Sequence, residues 1–186
     1  CSNAEYERRM GAAVRGFVAA GFTHVAFGDL FLEDVRRYRE ERLAGTGLEI
    51  ETLAAHPDAP DVAETGATFD ANARLKAAAT ARATAHWTLA DDSGLEVESL
   101  GGAPGVRSAR WSGVHGDDAA NTAKLLRDLD GKTDRRARFV CVLALARPDG
   151  EIAATATGIC EGAIALAPRG TAGFGYDPIF TPAALP

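Results

Sequence analysis

The feature that most constrains the fold is a pair of apolar segments joined by a tight turn. Residues 138–147 are almost entirely apolar between two arginines, Pro148–Gly150 follows them, and a second segment begins at Ile152. An Asp-Gly step between two such segments is typical of a β-hairpin. We therefore expect two neighbouring strands here, with Gly158 and Gly162 bending or bulging the second one.

Helical segments and shorter apolar runs occupy the rest of the chain, which predicts an α/β protein. The spacing of apolar residues predicts helices over 5–20, 32–43, 68–85 and 117–131, the last two capped by Thr68 and Asp117. Short strands are expected over 23–27, 48–53, 87–90 and 95–100, followed by a glycine-rich loop at 101–105. We expect a mixed, twisted central sheet flanked by helices.

Charge and cysteine usage exclude several classes of function. The formal net charge is −6, so a nucleic-acid partner is not expected. No apolar run approaches the roughly 20 residues of a membrane span. The cysteines Cys1, Cys141 and Cys160 form neither a zinc motif nor a disulfide framework, which indicates a reducing, cytoplasmic setting. Because the chain begins at Cys1 rather than at Met, we expect a fragment or an engineered version.

Two adjacent acids, Asp91 and Asp92, follow the apolar run that ends at Ala90. Neighbouring carboxylates raise one another's pKa unless a cation lies between them. Side chains alternate along a strand, so only one of the two can face a given pocket. A metal-facing or substrate-facing acid and an Asx turn before Ser93-Gly94 are both open alternatives at this point.

Three polar residues near the helix at 68–85 are candidates for binding phosphate or metal. Glu64 lies in the acidic loop before the helix, while Asn72 and Lys76 are four residues apart on one helix face. Glu64 could join an aspartate in holding Mg²⁺, which prefers oxygen ligands and bridges phosphates. A solvated loop acid and an ordinary polar helix face are the alternatives.

The segment Phe174–Pro178 combines aromatic rings, a glycine and a carboxylate. Phe174 and Tyr176 offer faces for stacking on a base, and Asp177 offers an acceptor for its edge. A tight turn packed on the core is the alternative. His115 lies in a polar loop with no Ser or Cys partner evident, so it receives no catalytic role.

Four segments resemble, in order, the motifs of the inosine/xanthosine triphosphate pyrophosphatases, the Ham-type family. Residues 64–77 read ETGxTFxxNAxLKA, 89–97 read LADDSGLxV, 100–111 read LGGAPGVxSARW, and 170–180 read GTxGFGYDPIF. The resemblance covers the chain from about residue 48 onward. It implies an α/β fold whose mixed central sheet carries two lobes with a nucleotide cleft between them.

Family membership would also imply an activity and site residues. These enzymes cleave inosine, deoxyinosine and xanthosine triphosphates to the monophosphate and pyrophosphate with Mg²⁺. By resemblance, Asp92 is the catalytic residue, and Asp92, Glu64 and Asp91 are the candidate Mg²⁺ contacts, although the family often has another acid where this chain has Ala63. The candidate substrate contacts are Ser93, Asn72 and Lys76 toward phosphate, and Phe174, Gly175, Tyr176 and Asp177 around the purine. A cytoplasmic homodimer is implied as well.

The chain departs from the family pattern at both ends. The family's first strand and its Thr/Ser-Gly-Asn-x-x-Lys loop are absent, and the chain stops at Pro186, before the family's Ser-His-Arg. Residues 1–48 instead resemble an internal segment of the ATP-pyrophosphatase-type diphthine–ammonia ligases. We therefore expect a chimera, with a foreign strand–turn–helix segment over 1–48 and a C-terminally truncated pyrophosphatase-like domain over 49–186.

The foreign segment bears on the expected activity. It places Asp29, Glu33 and Asp34 where the family has Asn and Lys, and acids repel a triphosphate. We therefore expect weak or absent activity. The alternatives to a pyrophosphatase are a catalytically inert nucleotide-binding or structural recombinant protein and an amide-forming ATP ligase, the latter disfavoured because its glycine loop is missing.

Overall fold

The computed structural model describes residues 24–27, 49–170 and 173–183. In these ranges six strands form one sheet in the order β2-β1-β3-β4-β5-β6. The strands are β1 (His24–Phe27), β2 (Glu49–Thr52), β3 (Thr88–Val97), β4 (Arg136–Ala146), β5 (Ile152–Ile164) and β6 (Phe180–Pro182). The α-helices of the described ranges are α1 (Phe69–Thr84) and α2 (Asp118–Asp128), and 3-10 turns lie at Leu53–Ala55, Glu98–Leu100, Gly105–Arg110 and Asp177–Ile179.

The sheet is mixed, which confirms the predicted fold class. β1 is parallel to both β2 and β3, whereas β5 and β6 are antiparallel. β1 also confirms the strand expected over 23–27. The helices expected over 5–20 and 32–43 lie outside the described residues, as do Asp29, Glu33 and Asp34. No helix in the described ranges is long and apolar enough to cross a membrane.

Helix α1 forms where its cap and composition predict it. Thr68 is extended, with φ −136° and ψ 157°, and its side chain accepts a hydrogen bond from the Ala71 N–H at 3.1 Å. That bond satisfies one of the donors that a helix start leaves unpaired. Ala73, Ala77 and Ala81, spaced four residues apart, form the fully buried stripe. The helix therefore presents a narrow face that other elements can approach closely.

Strand β3 differs from the expectation at Asp91 and Asp92. Two short strands over 87–90 and 95–100 were expected, yet one strand of 10 residues runs from Thr88 to Val97 through both acids. The Asx-turn alternative is therefore wrong. The alternating burial along β3 explains the continuity, because Asp92 is buried whereas Asp91 and Ser93 are more exposed. An extended backbone carries both acids without bringing their side chains to the same face.

The predicted hairpin is confirmed. β4 and β5 are neighbours, and the turn between them is closed by bonds from Arg147 N to Glu151 O at 2.8 Å and from Gly150 N to Arg147 O at 2.7 Å. β5 runs without interruption past both glycines. At Gly162 the absence of a side chain matters because a Cβ there would lie 2.5 Å from Thr181 O on β6.

The chain divides into two compact units, which agrees with the two lobes expected. One, here called the Asp92 unit, comprises Ser2–Asp92 and Val142–Ala156. The other, the Tyr176 unit, contains Ser93–Cys141 and Thr157–Pro186. The core of the Tyr176 unit consists of buried apolar residues from β3, α2, β4, β5 and the last 3-10 turn: Leu95, Val97, Leu125, Leu129, Ala137, Ile164, Tyr176 and Ile179.

Candidate functional site

The Asp92 unit holds a cluster of two acids, one amide and one lysine. Asp92 is buried on β3, and its Oδ2 accepts a hydrogen bond from Asn72 Nδ2 at 3.0 Å. Its Oδ1 lies 3.7 Å from Lys76 Nζ. The same ammonium donates to Glu64 Oε1 at 2.7 Å. One cation thus lies between two carboxylates.

Local structure explains why these residues meet. Asn72 and Lys76 are one turn apart on α1, so their side chains share a face of the helix. Glu64 comes from the loop just before the helix, and Asp92 comes from the strand that follows it. Three of the four therefore belong to one loop–helix segment, and only Asp92 is supplied by the sheet.

Asn72 has a well-defined place in the cluster. It is fully buried, its Oδ1 accepts from Gly66 N at 2.7 Å, and its Nδ2 donates to Asp92. A Cβ at Gly66 would lie 2.6 Å from that Oδ1 and 2.8 Å from Ala71 Cβ. Because each end of the amide has a partner, Asn72 has one orientation, and it fixes that of the Asp92 carboxylate. A direct contact of Asn72 with substrate stays a prediction.

The electrostatic setting keeps Lys76 charged. Burial opposes the charge on its ammonium, but the hydrogen bond that it donates to Glu64 and the charges of Asp92, Glu64 and Asp91 outweigh that effect and raise the pKa of Lys76. The lysine is therefore a permanent cation at neutral pH. Its positive charge lowers the repulsion among Asp92, Glu64 and Asp91, so these carboxylates can lie close together although they are partly buried.

The donors of the cluster fit one kind of magnesium site and not another. No group of three or more His, Cys, Asp or Glu side chains in the described ranges is arranged to hold a metal ion. A cage built from the protein alone is therefore not formed by these residues. Mg²⁺ is commonly bound by one or two carboxylates together with phosphate oxygens of a substrate, and Glu64 and Asp92 supply that smaller set.

Asp91 and Ser93, the neighbours of Asp92, are placed differently. Strand alternation puts both on the face of β3 opposite to Asp92, and Ser93 is exposed. Asp91 contributes only the smallest of the charge effects on Lys76. The structure therefore gathers Asp92, Asn72, Lys76 and Glu64, and leaves Asp91 and Ser93 on the other side of the strand.

The Tyr176 unit holds the predicted base-binding segment. Phe174 is 69% exposed, whereas Tyr176 is buried and its hydroxyl donates to Ser108 O at 2.9 Å. Burial, and next the charge of Asp118, raise the pKa of Tyr176, so the hydroxyl remains a donor. Asp177 Oδ2 accepts from Phe174 N at 3.1 Å, which closes the loop on itself. The exposed ring of Phe174 is thus attached to a backbone that this hydrogen bond holds in place.

Two residues that the sequence analysis missed hold this segment. Gly175 N donates to Asp118 Oδ2 at 2.6 Å, and Thr122 Oγ1 donates to Gly175 O at 3.3 Å. Asp118 and Thr122 stand one turn apart at the start of α2, next to the cap Asp117. In the sequence they resemble ordinary helix-start residues, and nothing in their spacing points to a partner 57 positions away.

Comparison with known proteins matches the chain, including the candidate residues of both units, to one family. The sequence pattern of the Ham1 family matches residues 32–185. That match begins upstream of the boundary expected at residue 48; the predicted origin of residues 1–48 remains untested. A dITP/XTP pyrophosphatase of Exiguobacterium sp. is 54% identical over 141 residues, covering 76% of this chain and 71% of the relative. One from Geobacillus kaustophilus is 55% identical over 139 residues, 74% of this chain and 68% of its own length.

Solved structures agree with the sequence comparison. The crystal structure of a nucleoside-triphosphatase, or dITP/XTP pyrophosphatase, from Mycobacterium abscessus has a TM-score of 0.76 at 43% identity, covering 86% of this chain and 83% of that one. A HAM1 protein from Coxiella burnetii gives a TM-score of 0.79 at 36% identity, with 86% and 81% covered. The fold and the sequence motifs therefore lead to the same family.

Proposed function

This chain belongs to the Ham1 family, and on that basis we propose that it hydrolyses deoxyinosine, inosine and xanthosine triphosphates to the monophosphate and pyrophosphate. The enzyme class follows from relatives named dITP/XTP pyrophosphatase at 54% and 55% identity. The observation that carries the proposal for this chain is the Asp92–Lys76–Glu64 cluster. It combines a buried acid, which can accept a proton from water, with a permanent cation, which can stabilise the charge of a phosphate.

We assign proton transfer to Asp92. Its carboxylate takes a proton from the attacking water as the water oxygen bonds to the phosphorus of the first phosphate, which carries the nucleoside. The phosphoanhydride bond then breaks, and pyrophosphate leaves. Asn72 holds the carboxylate in place through its bond to Oδ2, so Oδ1 is the oxygen directed toward Lys76.

Lys76 is assigned to the phosphate charge. A triphosphate approaching the cluster competes with Glu64 and Asp92 for the ammonium, and the developing negative charge is stabilised by that cation. When Mg²⁺ is bound with the substrate, it neutralises phosphate charge, and Glu64 and Asp92 are the carboxylates that would hold it. Ser93 and Asp91 remain further candidates for phosphate and metal from the family resemblance.

Base recognition is assigned to the loop of the Tyr176 unit. The exposed ring of Phe174 offers a stacking face, and the family resemblance adds Gly175 and Tyr176 as candidate contacts of the base. Asp177 closes the loop through its bond to Phe174 N. The resemblance also implies a cytoplasmic location and a homodimer, and light scattering of the purified protein would test the dimer.

The test is pyrophosphate release with Mg²⁺ from dITP and XTP, with dATP as the comparison substrate. We expect Asp92→Asn to lower kcat/KM by at least about 100-fold, the usual minimum for a general base. Asp130→Asn, which changes an exposed acid, is the matched control and should stay within twofold of wild type. Undiminished activity of Asp92→Asn would sink the assignment of Asp92. No release by the wild type would favour the inert nucleotide-binding alternative.

A further inference from the structure

The peptide groups on either side of Gly175 are held by one helix face. The N–H of Gly175 donates to the Asp118 carboxylate at 2.6 Å, and its C=O accepts from the Thr122 hydroxyl at 3.3 Å. Asp118 and Thr122 are separated by one turn of α2. Thr122 is buried, so its hydroxyl has little access to water as an alternative partner.

The conformation of Gly175 explains why these two hydrogen bonds matter. Its φ is +58°, a left-handed conformation that glycine adopts readily, and nothing lies within 4 Å of where a Cβ would be. Since glycine has no Cβ to restrict it, the two hydrogen bonds are what fix the backbone here, immediately next to the exposed ring of Phe174. On its other side, Tyr176 is buried with its hydroxyl bonded to Ser108 O at 2.9 Å.

We propose that Asp118 and Thr122 are positioning residues for base recognition: by fixing the Gly175 backbone they set the direction of the Phe174 ring, and so the fit of a purine against it. This inference rests on the proposed function, which assigns the loop to the base. Neither residue needs to touch the nucleotide. Both act through the peptide groups on either side of Gly175, so their effect falls on binding of the base rather than on the reaction at phosphate.

A contribution to folding alone would predict a different result. Loss of a purely structural bond lowers the amount of folded enzyme, which reduces the apparent kcat and leaves KM unchanged. Loss of a positioning bond raises KM and reduces the preference among bases in the fully folded enzyme. The kinetic constants therefore separate the two roles.

The experiment compares Asp118→Ala, Asp118→Asn, Thr122→Val and Thr122→Ser with wild type on dITP, XTP and dATP. Asp118→Ala removes the acceptor, and we expect KM for dITP to rise about tenfold, as for one hydrogen bond to a charged group, with kcat within twofold. Asp118→Asn and Thr122→Ser keep an acceptor and a donor, so they should restore KM to within about threefold. Thr122→Val should raise KM less than Asp118→Ala, because its bond is longer and neutral.

The exposed Asp130 on the same unit supplies the control, since Asp130→Ala should change neither constant. An unchanged KM in both Asp118→Ala and Thr122→Val would overturn the inference, as would a loss confined to kcat. Amide hydrogen exchange at Gly175 tests its hydrogen bond to Asp118 in the absence of nucleotide. We expect faster exchange in Asp118→Ala, and an unchanged rate would contradict a role of this bond in fixing the backbone.

Failure of the proposed function is recognised separately. If the wild type releases no pyrophosphate, the proposed reaction is wrong, and calorimetric binding of inosine monophosphate then replaces KM. A tenfold weaker affinity of Asp118→Ala would uphold the inference in that case. Equal affinities, or no binding by the wild type, would overturn it.

Discussion

The two units hold their candidate functional groups in different ways. In the Asp92 unit, side chains hold side chains: Lys76 lies between Glu64 and Asp92, and Asn72 is bonded to Asp92. In the Tyr176 unit, side chains hold backbone, because Asp118 and Thr122 bond to the peptide groups of Gly175. The first arrangement fixes charges, and the second fixes the path of a loop.

The difference has a physical reason. Charged groups that act on phosphate must be close together and yet compensated, so they form ion pairs with one another. A base presents a flat face and an edge, and it is recognised by a surface of defined shape, which is a property of the backbone path. Substitutions should therefore separate the two units, with large effects on the reaction in one and smaller effects in the other.

After the loss predicted above for Asp92→Asn, the next largest effect is expected at Lys76. Lys76→Met removes the cation from between the two acids, and kcat/KM should fall by roughly 10- to 100-fold, the value of a charged hydrogen bond. The control is Lys124→Met, which removes a lysine–acid pair of the same 2.7 Å length from the Tyr176 unit. Steady-state pyrophosphate release measures both, and equal losses in the two variants would erase the distinction between the units.

A smaller effect, on stability, is expected at Gly66. In Gly66→Ala the new Cβ would lie 2.6 Å from Asn72 Oδ1, so the free energy of unfolding should fall by about 1–3 kcal/mol, as in other overpacked sites. Gly158→Ala is the matched control, because its nearest atom is Cys141 O at 4.0 Å. Urea denaturation of both variants measures the change in the free energy of unfolding. If Gly158→Ala proves the more costly, the close packing around Asn72 is not what makes glycine necessary.

The smallest effect is expected at Tyr176. Tyr176→Phe keeps the buried ring and removes only the bond to Ser108 O, so the loss should be about 1 kcal/mol. For a protein of this size that corresponds to a fall in Tm of roughly 2–4 °C. Thermal unfolding followed by circular dichroism measures it. A fall several times larger would show that the hydroxyl organises more of the loop than one hydrogen bond.

The sequence predicted the parts of the fold that local signals determine. The cap at Thr68 and the hairpin around Gly150 are read from neighbouring residues, and both are confirmed. The course of β3 was missed because Asp91, Asp92, Ser93 and Gly94 favour turns locally, whereas pairing within the sheet keeps them extended.

The candidate sites show the same limit. Asn72, Lys76 and Glu64 could be nominated because helical spacing and loop position bring them near each other. Their partnership with Asp92 depends on how α1 packs near β3, which no local pattern specifies. Asp118 was overlooked for the same reason, since its partner is 57 residues away in the chain and is a backbone group with no signature of its own.

The chain of bonds from Gly66 through Asn72 to Asp92 also restricts how this protein can evolve. A change at position 66 displaces the amide that orients the acid, and a change at position 72 removes both bonds at once. Effects of substitutions at such linked positions are not additive. We therefore expect a single substitution at Gly66 or Asn72 to disturb the orientation of the Asp92 carboxylate, and a library that varies all three positions should recover functional variants as matched sets.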